Sequence, residues 1–213
     1  MVSVIEVKNV TKKWGNNTVL NSVNLTAERS EIIGIIGHNG SGKTVLMKCI
    51  CGFITPDSGE ITVSGKRVGR DIDIPKNIGL IIETPGFLPN FSGFSNLWQL
   101  AKIRGKICKN DVREVMEKVG LNPHDKKHVG KYSLGMRQRL GIAQAIMENP
   151  DILILDEPMN GLYKNGVNDM RELLLRLKSD GKTMIVASHN SADIDILCDR
   201  VFEIEKGNLK QVR

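Results

Sequence analysis

Residues 31–53 read EIIGIIGHNGSGKTVLMKCICGF, and the fold follows from the order of residue types in this stretch. EIIGIIG (31–37) is a short, isoleucine-rich apolar run, which predicts a buried strand. From Thr44 to Phe53 the apolar residues Val45, Leu46, Cys49, Ile50 and Phe53 recur at helical spacing. Between strand and helix lies Gly37-His38-Asn39-Gly40-Ser41-Gly42-Lys43-Thr44, which fits G-x-x-x-x-G-K-[ST]. Its glycines let the backbone curl so that N–H groups face an anion, and the helix N-terminus adds a favourable potential. The run is expected to wrap a nucleotide's phosphates. Lys43 would reach the β- and γ-phosphates, and the Thr44 hydroxyl would serve Mg²⁺, a hard cation that prefers oxygen. Asn39 and Ser41 join the nucleotide-binding run, as does His38, read as a tolerated loop residue rather than a catalyst.

Outward from this loop, VSVIEV (2–7), TVLNSVNL (18–25), GEITV (59–63) and NIGLIIE (77–83) read as further strands, with turn chemistry at Pro56-Asp57-Ser58-Gly59. From Gly86 to Met147 the pattern turns helical: Val112, Val115, Met116 and Val119 form one stripe, Glu114 precedes Lys118 by four residues, and Gly120 closes the helix. After Pro150 come the strand DILILDEP, a helix carrying Val167, Met170, Leu173, Leu174 and Leu177, and a last expected core strand, TMIVAS (183–188). This alternation predicts an α/β fold with a mainly parallel sheet covered by helices. One domain is expected over 1–213, with residues 1–85 and 148–213 as core and 86–147 as an inserted helical subdomain.

In DILILDEP, four apolar residues (Ile152 to Leu155) run into Asp156 and Glu157. Open α/β sheets bind ligands at the C-terminal ends of such strands. Asp156 is expected to hold the Mg²⁺ shell, and Glu157 to orient or deprotonate a water attacking the γ-phosphate. An acidic pair alone is usually a solvated turn; the phosphate loop changes that reading.

Bulk properties set limits. The 213 residues are 25% charged and 40% hydrophobic, as in ordinary globular proteins. No stretch approaches the roughly 18 apolar residues of a membrane helix, and MVSVIEVKNV is unlike a signal peptide, so a cytoplasmic location is expected. Cys49, Cys51, Cys108 and Cys198 lack metal-ligand spacing and read as reduced thiols. The net charge of +6 comes from scattered Lys and Arg, which points to a solvated basic surface.

Tyr132-Ser133-Leu134-Gly135-Met136-Arg137-Gln138-Arg139 resembles the L-S-G-G-Q signature of ABC ATPases, with Ser133 and Gly135 retained. Ser133 can cap the helix that follows, and its hydroxyl with the free N–H groups can receive a phosphate. The resemblance runs along essentially the whole chain. It implies an N-terminal antiparallel β region and ATP bound between the phosphate loop of one copy and Ser133 and Gly135 of another. It also implies an adenine stacked on Trp14 and a switch histidine, His189, that contacts the γ-phosphate and helps position Glu157; Lys43, Glu157 and His189 would form the catalytic set. The implied partners are a second ATP-binding subunit, as a homodimer, and a membrane-spanning permease that holds the chain at the inner face of the membrane. No nucleic acid is expected. Besides Tyr132, Leu134 and Met136 within the signature, two positions depart from the family. Glu83 stands where most members have a metal-sensing glutamine, so it is a third expected metal ligand, and Tyr163 stands where Asp is common. Glu83 and Y-S-L-G-M together resemble the bacitracin and lantibiotic export and immunity group. The competing readings are a nucleic-acid-associated ATPase of the same type, although no sustained heptad is present, and a phosphate-loop kinase, which would leave the signature unexplained.

Overall fold

The computed structural model describes residues 3–83 and 85–213. Met1, Val2 and Thr84 lie outside the described residues, so the first residue of the expected VSVIEV strand is among those not placed. The chain starts with a long hairpin, β1 (Ser3–Trp14) and β2 (Asn17–Glu28), then forms β3 (Ile32–Ile36) and α1 (Lys43–Ile50). Three short strands follow, β4 (Ser58–Val63), β5 (Lys66–Arg67) and β6 (Ile78–Ile81). The helical middle comprises α2 (Gly93–Arg104), α3 (Lys109–Lys118), a 3-10 turn (Val129–Lys131) and α4 (Leu134–Ile146). The chain closes with β7 (Ile152–Asp156), α5 (Lys164–Ser179), β8 (Thr183–Ala187), α6 (Ser191–Leu197), β9 (Arg200–Glu205) and β10 (Asn208–Gln211).

Two sheets result. The antiparallel sheet has the order β2-β1-β4-β5, and the larger one β10-β9-β3-β8-β7-β6, parallel from β9 to β6. Because strand side chains alternate between faces, the buried strands feed two separate cores. Ile33, Ile35, Ile152, Ile154, Ile185 and Ala187 pack towards α1 and the antiparallel sheet. Their neighbours Ile32, Leu153, Leu155, Met184 and Val186 face the helices, sharing one cluster with Leu97, Met116 and Leu140 of the helical middle. The expected α/β architecture and antiparallel N-terminal region are therefore present. Residues 86–147 form helices whose apolar faces are continuous with the central core.

Tyr132, the first departure within the signature, is a core residue. It is only 4% exposed, and a Cβ added at Gly93 would come within 2.7 Å of its hydroxyl.

Two expectations are corrected. TMIVAS does not supply the last core strand, because β9 pairs in parallel with β3 on its other side and carries β10 as an antiparallel edge. Charged Arg200, Glu203 and Glu205 interrupt β9 and leave only Val201, Phe202 and Ile204 to bury, too short an apolar pattern to stand out. The helix expected over 44–53 covers Lys43–Ile50 instead. Gly52 ends it at φ 78°, where a Cβ would lie 2.0 Å from the Asp73 carbonyl, and Phe53 is left half-exposed.

Candidate nucleotide site

The loop between β3 and α1 is shaped by glycines, of which Gly37 and Gly42 cannot be replaced without collision. Gly42, at the N-cap of α1, has φ 115°, and a Cβ there would sit 2.8 Å from the Val19 carbonyl. Gly37 has φ 148°, with the Ile204 carbonyl 2.4 Å from its would-be Cβ. The Lys43 ammonium folds back across the loop and donates to the carbonyls of Gly37 at 2.6 Å and His38 at 3.1 Å. Lys43 is 7% exposed, an unusual burial for a lysine. The Ser41 hydroxyl is buried without a hydrogen-bond partner among the described residues. A buried donor of this kind ordinarily has an acceptor, and a phosphate oxygen would satisfy it.

β7 delivers the acidic pair to the same end of the sheet. The Thr44 hydroxyl donates to Asp156 Oδ2 at 2.6 Å, tying the loop to the strand. Glu157 adopts φ 50°, a left-handed conformation rare for a residue with a side chain and typical of strained functional positions. Its N–H donates to the Ala187 carbonyl at 2.9 Å, and its Oε2 lies 2.8 Å from His189 Nδ1. The His189 turn has its own support. Asp193, 2% exposed, accepts from Arg171 Nε and Nη2 at 2.9 and 2.5 Å and weakly from Ser188 Oγ at 3.4 Å. Ser188 Oγ in turn accepts from the Asn190 N–H at 3.1 Å.

These parts border a cleft of about 590 Å³, whose walls include Trp14, Lys43, Thr44, Glu83, Asp156 and Glu157. Asn39, Gly40 and Gly42 also line it, as does Trp14, half-exposed at the end of β1. Other expected residues lie elsewhere. His189 and His38, with Gly37, line a neighbouring depression, and His189 reaches the cleft only through Glu157. Glu83 borders the cleft, yet its carboxylate is engaged by Lys48 Nζ at 2.6 Å rather than by Thr44 or Asp156.

Ser133 and Gly135 do not line the cleft of their own chain; Leu134, Arg137 and Gln138 do. Ser133 caps α4, its hydroxyl accepting from the Met136 N–H at 3.2 Å. Gly135 packs so closely that a Cβ would lie 2.8 Å from the Gly161 carbonyl, in the loop after the acidic strand. Buried Gln138 donates to the carbonyls of Glu157 and Pro158 at 3.1 and 3.0 Å, tying the signature helix to the end of β7. Sequence reasoning missed Gln138, Lys48 and the Arg171–Asp193 pair. For Lys48 a signal existed: it falls one helical turn after Thr44, on the same face of α1.

A glycine-rich loop between a central parallel strand and a helix, facing a carboxylate on a neighbouring strand, defines a phosphate-loop nucleotide-binding protein. A family model described as ABC transporter matches residues 20–160. An uncharacterised ABC transporter ATP-binding protein of Bacillus subtilis (strain 168), YybJ, is 45% identical over 207 residues, covering 97% of this chain and 95% of that one. The bacitracin transport ATP-binding protein BcrA of Enterococcus faecalis is 41% identical over 211 residues, 98% of this chain and 68% of the relative. Among solved structures, the dimeric bacterial ABC transporter cassette MJ0796 superposes with a TM-score of 0.86 at 23% identity, over 98% of this chain and 99% of that one. The chain belongs to the ABC transporter family. It is an ATP-binding and hydrolysing subunit of that family, and these relatives give no support to the nucleic-acid reading. Among the described residues no helix is long and apolar enough to cross a membrane.

Proposed function

We propose that two copies of this chain close head to tail on two ATP molecules and drive a membrane-spanning permease that exports a peptide antibiotic. The observation that carries the pairing is that Ser133 and Gly135, suited to phosphate, are not among the residues lining the cleft that the phosphate loop of the same chain borders. The N-terminal end of α4 offers a capping hydroxyl and helix N–H groups, a ready anion site. The dimeric cassette of the same fold and the bacitracin transport relative support the pairing and the transport of a peptide antibiotic respectively.

Within each site, the loop amides and Ser41 bind the phosphates, Lys43 exchanges its carbonyl partners for β- and γ-phosphate oxygens, and Trp14 stacks on adenine. Glu157, held by His189, orients the water that attacks the γ-phosphorus in line; the bond to the bridging oxygen breaks, giving ADP and phosphate. Mg²⁺ fits the oxygen donors present, because Thr44 Oγ1 and Asp156 Oδ2 already meet at 2.6 Å and this cation tolerates retained water and phosphate as its other ligands. Thr44 and Asp156 would hold it, with Glu83 within the same cleft, and its contribution is to neutralise charge on the β- and γ-phosphate oxygens. Loss of the γ-phosphate removes the contacts of Ser133 and His189 that favour the closed pair, which then opens. The Gln138 tie would carry that motion from the end of β7 into the helical middle, where the permease docks beside Glu83. The chain then sits at the inner membrane face through its permease.

Glu157→Gln keeps the site's shape and removes the general base. With saturating Mg-ATP, this variant is expected to elute from a sizing column as a dimer; a persistent monomer refutes the sandwich. Co-purification from membranes identifies the permease, and recovery of protein without an attached membrane subunit counts against the exporter reading.

A further inference from the structure

The cleft gathers acid where a polyanion has to sit: Asp156, Glu157 and Glu83 all line it, alongside the cations Lys43 and Arg137. Asp156 is engaged by Thr44 of the same cleft, and Glu157 by His189 of the adjoining depression. Glu83 is held from outside. Lys48, which is not among the lining residues, donates from α1 to Glu83 Oε1 at 2.6 Å. Glu83 also sits at φ 62°, a left-handed conformation that a side chain disfavours, so its carboxylate is carried on a constrained turn. The two side chains are 27% and 65% exposed. Ion pairs as wet as this one add little to folding stability, so stability does not account for the contact.

We propose that Lys48 is a positioning residue of the nucleotide site, which holds the Glu83 carboxylate against α1, away from the polyphosphate, and cancels its charge. The proposal rests on the cleft being the nucleotide site. Without Lys48 the carboxylate is free to turn into the cleft, and its repulsion acts directly on the incoming phosphates.

The test is isothermal titration of the whole purified chain with ATP at low salt, first in EDTA and then with saturating Mg²⁺. If the unaltered chain takes up no ATP in either condition, the nucleotide-site reading itself fails and the inference falls with it. Given binding, Lys48→Met is expected to weaken metal-free ATP affinity about three- to fivefold, the scale of one close, partly screened charge. Lys48→Arg should stay within about twofold of the unaltered chain, because it restores a cation of similar reach. In a chain that also carries Glu83→Gln, Lys48→Met should cost less than about 1.5-fold, because there is no carboxylate left to hold. Equal losses with and without Glu83→Gln overturn the proposal and reduce Lys48 to a distant charge. Mg²⁺ should narrow the Lys48→Met deficit by supplying the missing positive charge; a deficit that it leaves unchanged also refutes the idea. Lys48→Gln serves as a second neutral variant should Lys48→Met fold poorly.

Discussion

The pair Arg171–Asp193 supports a prediction that can be worked through quantitatively. Asp193 is 2% exposed, with both contacting Arg171 nitrogens on the same oxygen, while Arg171 is 15% exposed. Arg171→Met would leave a carboxylate in the interior with, among the described residues, only the weak Ser188 side-chain contact, and such an unpaired buried charge costs about 3–5 kcal/mol. For a chain of this size each kcal/mol lowers Tm by roughly 2–4 °C, so a fall on the order of 10 °C is expected in a thermal melt. Arg171→Met combined with Asp193→Leu removes both charges, and should recover at least about 1 kcal/mol of the loss. The functional consequence follows from position. Ser188 and Asn190 flank His189, and the network fixes Ser188, so loosening it should lower ATP turnover more than ATP affinity. Urea titration and steady-state hydrolysis read the two effects. An Arg171→Met cost below about 1 kcal/mol, or a double variant no more stable than Arg171→Met alone, would show that the pair is not carrying a desolvated charge.

Gly42→Ala should abolish ATP binding and lower stability by about 1 kcal/mol or more, since the alanine would have to hold φ 115° against the Val19 carbonyl; titration and melting check it. Trp14→Ala should weaken ATP binding by about 1 kcal/mol or more, roughly fivefold upward, without lowering Tm much, because the ring is half-exposed. Burial pushes the Cys49, Cys51 and Cys198 thiols from 9.0 up to about 11, 12 and 12. The unfolded chain therefore loses these protons first, and stability should be intact below pH 9 and fall from there towards pH 11, by about 1.4 kcal/mol per pH unit for each thiol. Denaturant melts should show this slope reduced by about one third in Cys198→Ala. Only Cys108 is exposed, so one thiol per native chain should react quickly with a disulfide reagent, and all four after unfolding.

The sequence by itself determined the features that depend on local spacing. Glycines at 37, 40 and 42 before Lys43-Thr44, set between an apolar run and a helical pattern, are legible because loop, strand and helix each leave a short-range signature. The acidic strand end was legible for the same reason, and so was the Ser133 cap, which needs only its own helix. What joins these pieces lies far apart in the chain. Thr44 and Asp156 are separated by 112 positions, Glu157 and His189 by 32, and Lys48 and Glu83 by 35. No periodicity announces such contacts, because they are set by the order of strands in the sheet rather than by neighbours in sequence. Strand order is decided by which apolar faces pack together, and that also hid β9: three buried residues among charges are too few to mark a strand until β3 offers its free edge. Tertiary structure alone decided that Glu83 meets Lys48, and that Leu134, Arg137 and Gln138 rather than Ser133 and Gly135 line the cleft of their own chain.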